Sequence, residues 1–401
     1  MQIDEQNDTA GVKAIRSMAE LSEEMIMEIL LRLPARTLCC MKSVCRLWRA
    51  LISTRDFTWN HLRRSSSRPI VVYEDTRIFS VESLLDNPSK LPRVSCLSGL
   101  RGNKYSICGS CHGLLCLFNS HPCGMYAVLL NPCTGFRFKS PDTHGHLCFS
   151  GFGYDHLSDT FKFLGIIRNL RPSRSENTIS TRIYTFGPTS SWRRIDDDVP
   201  IRVLTGGVDD RKGTYLGSSK VCTINWIVYR VVLYFDLGKE TYGQFPLPHR
   251  DSTEYNPESL DRYLCVLRNC LSVCYEDQRT GQWIVWQMKE YGDSQSWTIL
   301  AMIPFHSCLL STSLRNRLKP LYISETDVLL AMSPSFRAVL FNLNNGRLDF
   351  SDEVHGSMLN QPCFRHWFRS GGRTIYIYHE SLLSPSCFQS NSKPKRLVHL
   401  M

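Results

Sequence analysis

Apolar residues follow two different periods along the chain, and the change falls near residue 63. Over residues 21–59, LSEEMIMEILLRLPARTLCCMKSVCRLWRALISTRDFTW, the period is helical, with Leu21, Ile26, Ile29, Leu30 and Leu33 on one face of a first helix. Ser22 is placed as its N-cap, and Glu23 and Glu24 fall in the first turn, where the helix dipole favours negative charge. Leu21 and Ile26 occupy the two positions of a hydrophobic staple. Pro34 stops this helix and suits the first turn of a second, through Leu38, Cys40 and Met41. Val44, Cys45, Trp48, Leu51 and Ile52 mark a third. A unit of about 40 residues with apolar residues on several sides borrows a partner to cover them.

Beyond residue 69 the period shortens to that of strands. Runs such as PIVVYE, GLLCLF, FKFLGII, INWIVY, CLSVCYE and TIYIYH alternate with turn signals almost to the end. Five segments share one design: AVLLNPCTGFRFKSP, TRIYTFGPTSSWRRI, VVLYFDLGKETYGQFPLP, WIVWQMKEYGDSQSWTILAMIP and AVLFNLNNGRLDFSDE. Each is an apolar strand, a polar turn and a second strand with an aromatic residue. They recur at intervals of roughly 52 residues, the range of kelch-like blades of four strands. A strand pair near Pro69–Leu85 and a further strand near Arg373–Leu382 are read as one composite blade made from both ends of the region, giving about six blades, with seven as the other count. The alternative is a two-sheet sandwich whose spacing is coincidental.

The expected organisation is α+β and multidomain: residues 1–17 disordered, 18–62 a three-helix unit, 63–69 a linker, 70–385 an all-β propeller and 386–401 a tail.

Both parts resemble known families. The helical stretch is similar to the F-box, the adaptor-binding module of cullin–RING ubiquitin ligases, through Leu21, Glu24, Glu28, Ile29, Leu30, Arg32, Leu33, Pro34, Leu38, Val44, Cys45, Arg46, Trp48, Arg49, Leu51 and Ile52. That family usually has Pro after the first Leu, where this chain has Ser22, which keeps a helix cap but puts adaptor affinity in question. Segments GSCHGLLCL, NPCTGFRFKSP and GFGYDHLSDTFKFLGI resemble the F-box-associated domain of plant F-box proteins. The two resemblances together imply a non-catalytic substrate-recognition subunit of an SCF-type ligase. It would bind a Skp-family adaptor, and through it the cullin–RING ligase, and it would bind a target protein with the propeller. The residues implied for adaptor contact are Leu21, Ile26, Ile29, Leu30, Leu33, Pro34, Leu38, Cys45 and Trp48. Ile26, Ile29 and Leu30 are shared with the core of the unit. Target contacts are expected on loops at one propeller face, with Arg168–Ser180, Val203–Gly213 and His249–Asp261 as the regions. An adaptor-independent protein-binding scaffold is the other reading. A propeller enzyme or sugar-binding module has only fold analogy behind it.

Composition narrows the partners. A net charge of +10 with basic residues scattered favours acidic partners without a stripe for nucleic acid. No apolar run approaches the roughly 20 residues needed to span a membrane. Seventeen cysteines, an odd number in a long chain without a leading apolar segment, read as reduced thiols of the cytosol or nucleus.

Motifs that carry chemistry are weak. Gly109-Ser110-Cys111-His112-Gly113 outlines a nucleophile elbow, but a strand follows where a helix is required, so a turn between strands is expected. Cys108, Cys111 and Cys116 lack a second pair at zinc spacing, although Cys123 and Cys133 are nearby. Asp196–Asp198 read as a solvated loop and Lys393–Arg396 as a basic tail. Trp192, Trp226, Trp283, Trp286 and Trp297 are expected to pack between blades. No cofactor or metal site is expected.

Overall fold

The computed structural model describes residues 22–64, 69–73, 77–86, 95–96, 105–121, 124–168, 179–187, 190–195, 212–218, 221–228, 230–248, 262–277, 280–304, 318–333, 338–350 and 375–384. Four helices open it. The first, α1 (Glu23–Leu31), starts where expected: the Ser22 hydroxyl accepts the Met25 N–H at 3.3 Å. Leu21, and with it the staple, lies outside the described residues. Pro34 is the N-cap of α2 (Ala35–Met41), one position before the first turn. Cys45 caps α3 (Arg46–Ile52), its sulfur accepting the Trp48 N–H at 3.4 Å.

A fourth helix, α4 (Arg55–Arg64), corrects the expected three. Its composition is polar, and two of its buried residues, Thr58 and His61, are not apolar, so the period is faint. His61 is held by its Nε2–H donating to the Leu33 carbonyl at 2.8 Å. Arg64 reaches Glu28 at 2.6 Å, joining α4 to α1. Because α4 continues through Arg64 and β1 begins at Pro69, the expected linker loses residues at both edges.

Next come β1 (Pro69–Tyr73), β2 (Arg77–Ser80), a short α5 (Val81–Asp86) and β3 (Ser95–Cys96). Five four-stranded antiparallel sheets follow. They are β4 (Tyr105–Cys111) with β5 (Leu114–His121), β6 (Gly124–Leu130) and β7 (Arg137–Lys139), then β8 (His146–Asp155) with β9 (Thr160–Arg168), β10 (Ile179–Thr185) and β11 (Trp192–Ile195). The third holds β12 (Thr214–Gly217), β13 (Cys222–Val228), β14 (Val231–Asp236) and β15 (Thr241–Pro246). The fourth holds β16 (Arg262–Leu267), β17 (Cys270–Asp277), β18 (Gln282–Met288) and β19 (Trp297–Pro304), and the fifth β20 (Lys319–Ile323), β21 (Val328–Met332), β22 (Ala338–Asn342) and β23 (Leu348–Phe350).

The last strand, β24 (Ile375–His379), returns to β1 and completes a sixth sheet in the order β24-β1-β2-β3, with Val71 opposite Ile377. The composite blade is therefore present, and the described residues make six blades. β4, β8, β12, β16, β20 and β24 touch in succession and close a ring, a radial arrangement whose sheet edges are short and protected. The fivefold repeat in the sequence is the hairpin of third and fourth strands in the five sheets that follow β3. Its turn has a recurring basis: Asn131, Asp236 and Asn342 each accept two backbone N–H groups from the residues two and three ahead.

Apolar clusters fill the spaces between blades. Phe118 of β5 stacks on Phe163 of β9 at 5.3 Å, and the buried Trp226 donates its indole N–H to the Ser150 carbonyl at 3.2 Å. Trp283 and Trp297 are buried as well, while Trp192 and Trp286 are half-buried at cluster margins.

Candidate functional site: a helical face and the opposite propeller face

The helical unit has two sides. One builds a core from Leu30, Leu31, Ala35, Leu38, Leu51, Ile52 and Phe57, and this core also contains Leu382, from the segment after β24. Trp59 and Leu62 of α4 pack on the cluster between the β4–β7 and β8–β11 blades. Polar contacts reinforce the seam: Arg36 pairs with Glu380, Arg55 pairs with Asp159, and the sulfurs of Cys39 and Cys133 lie 3.8 Å apart. The helices therefore rest on the propeller.

Other apolar side chains of the helical unit are exposed. Met25 (56%), Ile29 (51%), Val44 (62%) and Leu47 (51%) stand open to solvent. These are four of the seven large apolar side chains exposed among the described residues, and they fall within 23 residues of sequence, so the exposure is concentrated in the helical unit. Met25 and Ile29 are one turn apart on α1 and share a face.

The nine residues expected at this surface divide. Ile29, Pro34 and Cys45 are exposed, and Cys45 also spends its sulfur on the α3 cap. Ile26, Leu33 and Trp48 are half-buried and lean on the core. Leu30 and Leu38 are fully buried within it, so they support the surface from beneath and are not part of it. Leu21 lies outside the described residues. The sequence pattern does not mark Met25, Val44 and Leu47 for the surface, because a stretch apolar on several sides does not reveal which side meets the propeller.

Topology separates two propeller faces. The helices touch His112 in the β4–β5 turn, Cys133 between β6 and β7, Asp159 between β8 and β9, and Glu380 after β24. All of these are first-to-second or third-to-fourth connections, or the end of an innermost strand. In an antiparallel blade they emerge on one face, so second-to-third and fourth-to-first connections emerge on the other. Arg168–Ser180 joins β9 to β10, Val203–Gly213 leads into β12, and His249–Asp261 into β16. The described ends of these connections, at Arg168, Ile179, Lys212 and Arg262, therefore lie at the face away from the helices. Residues 169–178, 203–211 and 249–261 themselves lie outside the described residues.

The cysteine-rich segment is a hairpin. His112 (φ 49°) and Gly113 (φ 73°) form the left-handed turn between β4 and β5, with no helix after it. A Cβ on Gly113 would collide with Ser381 and come within 2.7 Å of the His379 carbonyl, so glycine lets the end of β24 close on this turn. Cys108, Cys111 and Cys116 are buried in one apolar cluster, and burial pushes the Cys111 and Cys116 thiols up. Among the described residues no group of three or more His, Cys, Asp or Glu side chains is placed to hold a metal ion. No helix among them is long and apolar enough to cross a membrane. Cys123, Asp196–Asp198 and Lys393–Arg396 lie outside the described residues.

Comparison with known proteins agrees with this division. The family model described as the F-box domain matches residues 18–60, and that described as the F-box associated beta propeller domain matches residues 69–333. The F-box/kelch-repeat protein At3g23880 of Arabidopsis thaliana is 28% identical over 387 residues, covering 90% of this chain and 95% of the relative. F-box protein CPR1 of the same plant is 26% identical over 367 residues, covering 84% of this chain and 82% of its own.

Proposed function

Since the chain belongs to the F-box proteins that carry an F-box-associated β-propeller, we propose that it is the substrate-recognition subunit of an SCF-type cullin–RING ubiquitin ligase. The F-box helices dock on a Skp-family adaptor, and the propeller face away from those helices captures a target protein. The subunit itself performs no bond chemistry. Holding target lysines near a loaded ubiquitin carrier raises their effective concentration, and that proximity is its contribution.

The observation that carries this reading is the exposure of Met25, Ile29, Val44 and Leu47 on helices whose other side is already covered by the propeller. An apolar surface with its back to the rest of the chain is suited to a partner protein. Ser22, in place of the family's usual Pro, still caps α1, which supports an intact helix start at the docking end.

Co-expression with a Skp-family adaptor followed by size-exclusion chromatography tests the proposal. A stoichiometric complex is expected, lost on Ile29→Asp or Leu47→Asp with the melting curve of the free chain unchanged. These exposed positions serve better than Leu33, whose side chain leans on the core and whose carbonyl holds His61. A folded chain that elutes alone would instead favour the adaptor-independent scaffold.

A further inference from the structure

Cys39 and Cys133 come from remote parts of the sequence, α2 and the turn between β6 and β7, yet they meet across the seam between F-box and propeller. Their sulfurs are 3.8 Å apart, and the Cys39 sulfur also lies 3.8 Å from the Cys133 carbonyl oxygen. Both residues are half-buried. We propose that Cys39 and Cys133 form a modification site, a thiol pair that peroxide oxidises to a disulfide clasping the F-box to the propeller. The inference does not depend on the ligase reading.

Bond formation requires sulfurs about 2.05 Å apart, so the pair must close by roughly 1.8 Å from its present 3.8 Å, a distance within reach of small side-chain rotations. The two thiols have different roles. The sulfur–sulfur contact, in which either thiol can donate, holds the Cys39 thiol down against the opposing effect of burial, with help from Lys42 and Arg36 and resistance from Glu380. The same contact pushes the Cys133 thiol up. The Lys42 ammonium acts on Cys39 and not on Cys133, which favours Cys39 as the attacking thiolate and Cys133 as the resolving thiol.

The steps balance. Cys39 thiolate attacks one oxygen of hydrogen peroxide, the O–O bond breaks, and hydroxide leaves and takes a proton to become water. Cys39 is then a sulfenic acid. Cys133 attacks the Cys39 sulfur, the S–O bond breaks, and the departing hydroxide leaves as water with the Cys133 proton. Two thiols lose two electrons in all, and one peroxide becomes two waters.

Other cysteines are set apart by their surroundings. Cys111, Cys116, Cys265 and Cys274 are buried, and burial pushes their thiols up, which keeps them inert. Among the described residues Cys40 and Cys45 are the exposed cysteines, and the test removes them as competitors. The clasp leaves Met25, Ile29, Val44 and Leu47 untouched, so oxidation fixes how the F-box sits on the propeller without altering the exposed apolar surface.

The test uses the full chain carrying Cys40→Ser and Cys45→Ser, treated with hydrogen peroxide, alkylated, digested with trypsin and analysed by mass spectrometry. The expected product is the peptide of residues 37–42 joined to that of residues 105–137. Its mass should be two hydrogens below the sum of the pair, fragment ions should localise the bond to Cys133, and dithiothreitol should abolish it. Adding Cys39→Ser or Cys133→Ser should remove the product completely, and the oxidised chain should melt at a higher temperature than the reduced one. Cys39 converted to sulfinic acid while Cys133 remains open to alkylation would overturn the proposal. Survival of the linked peptide with Cys133→Ser would do the same.

Discussion

The indole of Trp59 and the imidazole of His112 meet edge to face, with ring centroids 5.4 Å apart, where α4 rests on the β4–β5 turn. Tyr154, His156 and Phe161 complete the surroundings of the imidazole. No carboxylate contributes to its titration: burial first, and then the charge of His156, push His112 down to about 4. The junction between the two modules thus contains an imidazole that is stable only when neutral.

The pH dependence follows from that sign. His112 titrates near 6.5 when unfolded and near 4 when folded, so the unfolded chain binds the extra proton first. Its contribution is complete above pH 6.5 and is lost as pH falls toward 4, a change of up to about 3 kcal/mol. Thermal melts between pH 7 and 4 should show a falling midpoint, and His112→Asn, which tolerates the left-handed turn, should flatten the curve in that window. A wild-type midpoint constant over the window would remove His112 from this role.

A second acid-sensitive element joins the β8–β11 and β12–β15 blades. The Lys162 ammonium is buried, 2.9 Å from Asp155 Oδ2, 3.1 Å from Glu240 Oε1 and 2.8 Å from the Leu237 carbonyl. Burial acts against both carboxylates, but the Ser158 and Lys162 hydrogen bonds to Asp155 and the Arg193 and Lys162 hydrogen bonds to Glu240 outweigh it, so both titrate below the usual range. Their stabilisation is present above about pH 4 and disappears as pH falls through the depressed values. Asp155→Asn leaves the ammonium with weaker company and should cost about 3–5 kcal/mol in urea unfolding at neutral pH. A loss below about 1 kcal/mol would show that solvent reaches the ammonium.

Much of this architecture is legible in the sequence, because each blade is built from local signals. AVLLNPCTG, VVLYFDLGKE and AVLFNLNNG advertise a strand followed by an Asn or Asp turn, and the structure gives all three the same hydrogen bonds. Gly113 is readable as a turn glycine, although its close packing on Ser381 joins residues 268 apart and no local pattern shows it. The helical unit is less legible. Helical spacing marks Leu30, Leu38 and Ile29 alike as apolar, yet the first two are in the core and the third faces solvent. What separates them is the propeller, whose Leu382 covers one side only.

That separation can be measured. Leu38→Ala empties a fully buried site and should cost about 2–5 kcal/mol, whereas Ile29→Ala at an exposed site should change stability by no more than about 0.5 kcal/mol. Adaptor binding should respond in the opposite sense among folded chains, falling with Ile29→Ala and surviving Leu38→Ala at temperatures where that variant remains folded. Equal destabilisation by the two substitutions would mean that Ile29 packs against the chain after all.

The end of the propeller holds both modules together. β24 pairs with β1, and the residues after it run beneath the helices. Fully buried Asn131 ties that segment down: its amide donates to the Ser381 carbonyl at 3.0 Å and the Leu383 carbonyl at 2.6 Å, while its oxygen accepts from the Cys133 N–H at 2.8 Å. Ending the chain before Ile375 would strip β1 of one of its two partners, open the ring between β20 and β4, and take Leu382 from the helical core. Because the loss reaches both modules, the truncated chain should show no cooperative melt and should bind a dye for exposed apolar surface. Asn131→Asp is the graded version. It keeps the turn acceptor but replaces two donated hydrogen bonds with a carboxylate facing two carbonyl oxygens, a cost of about 3 kcal/mol or more. Hydrogen exchange should then rise together in β24 and in α2, since the same segment secures both. Faster exchange confined to β24 would show that the helices hold to the propeller without it.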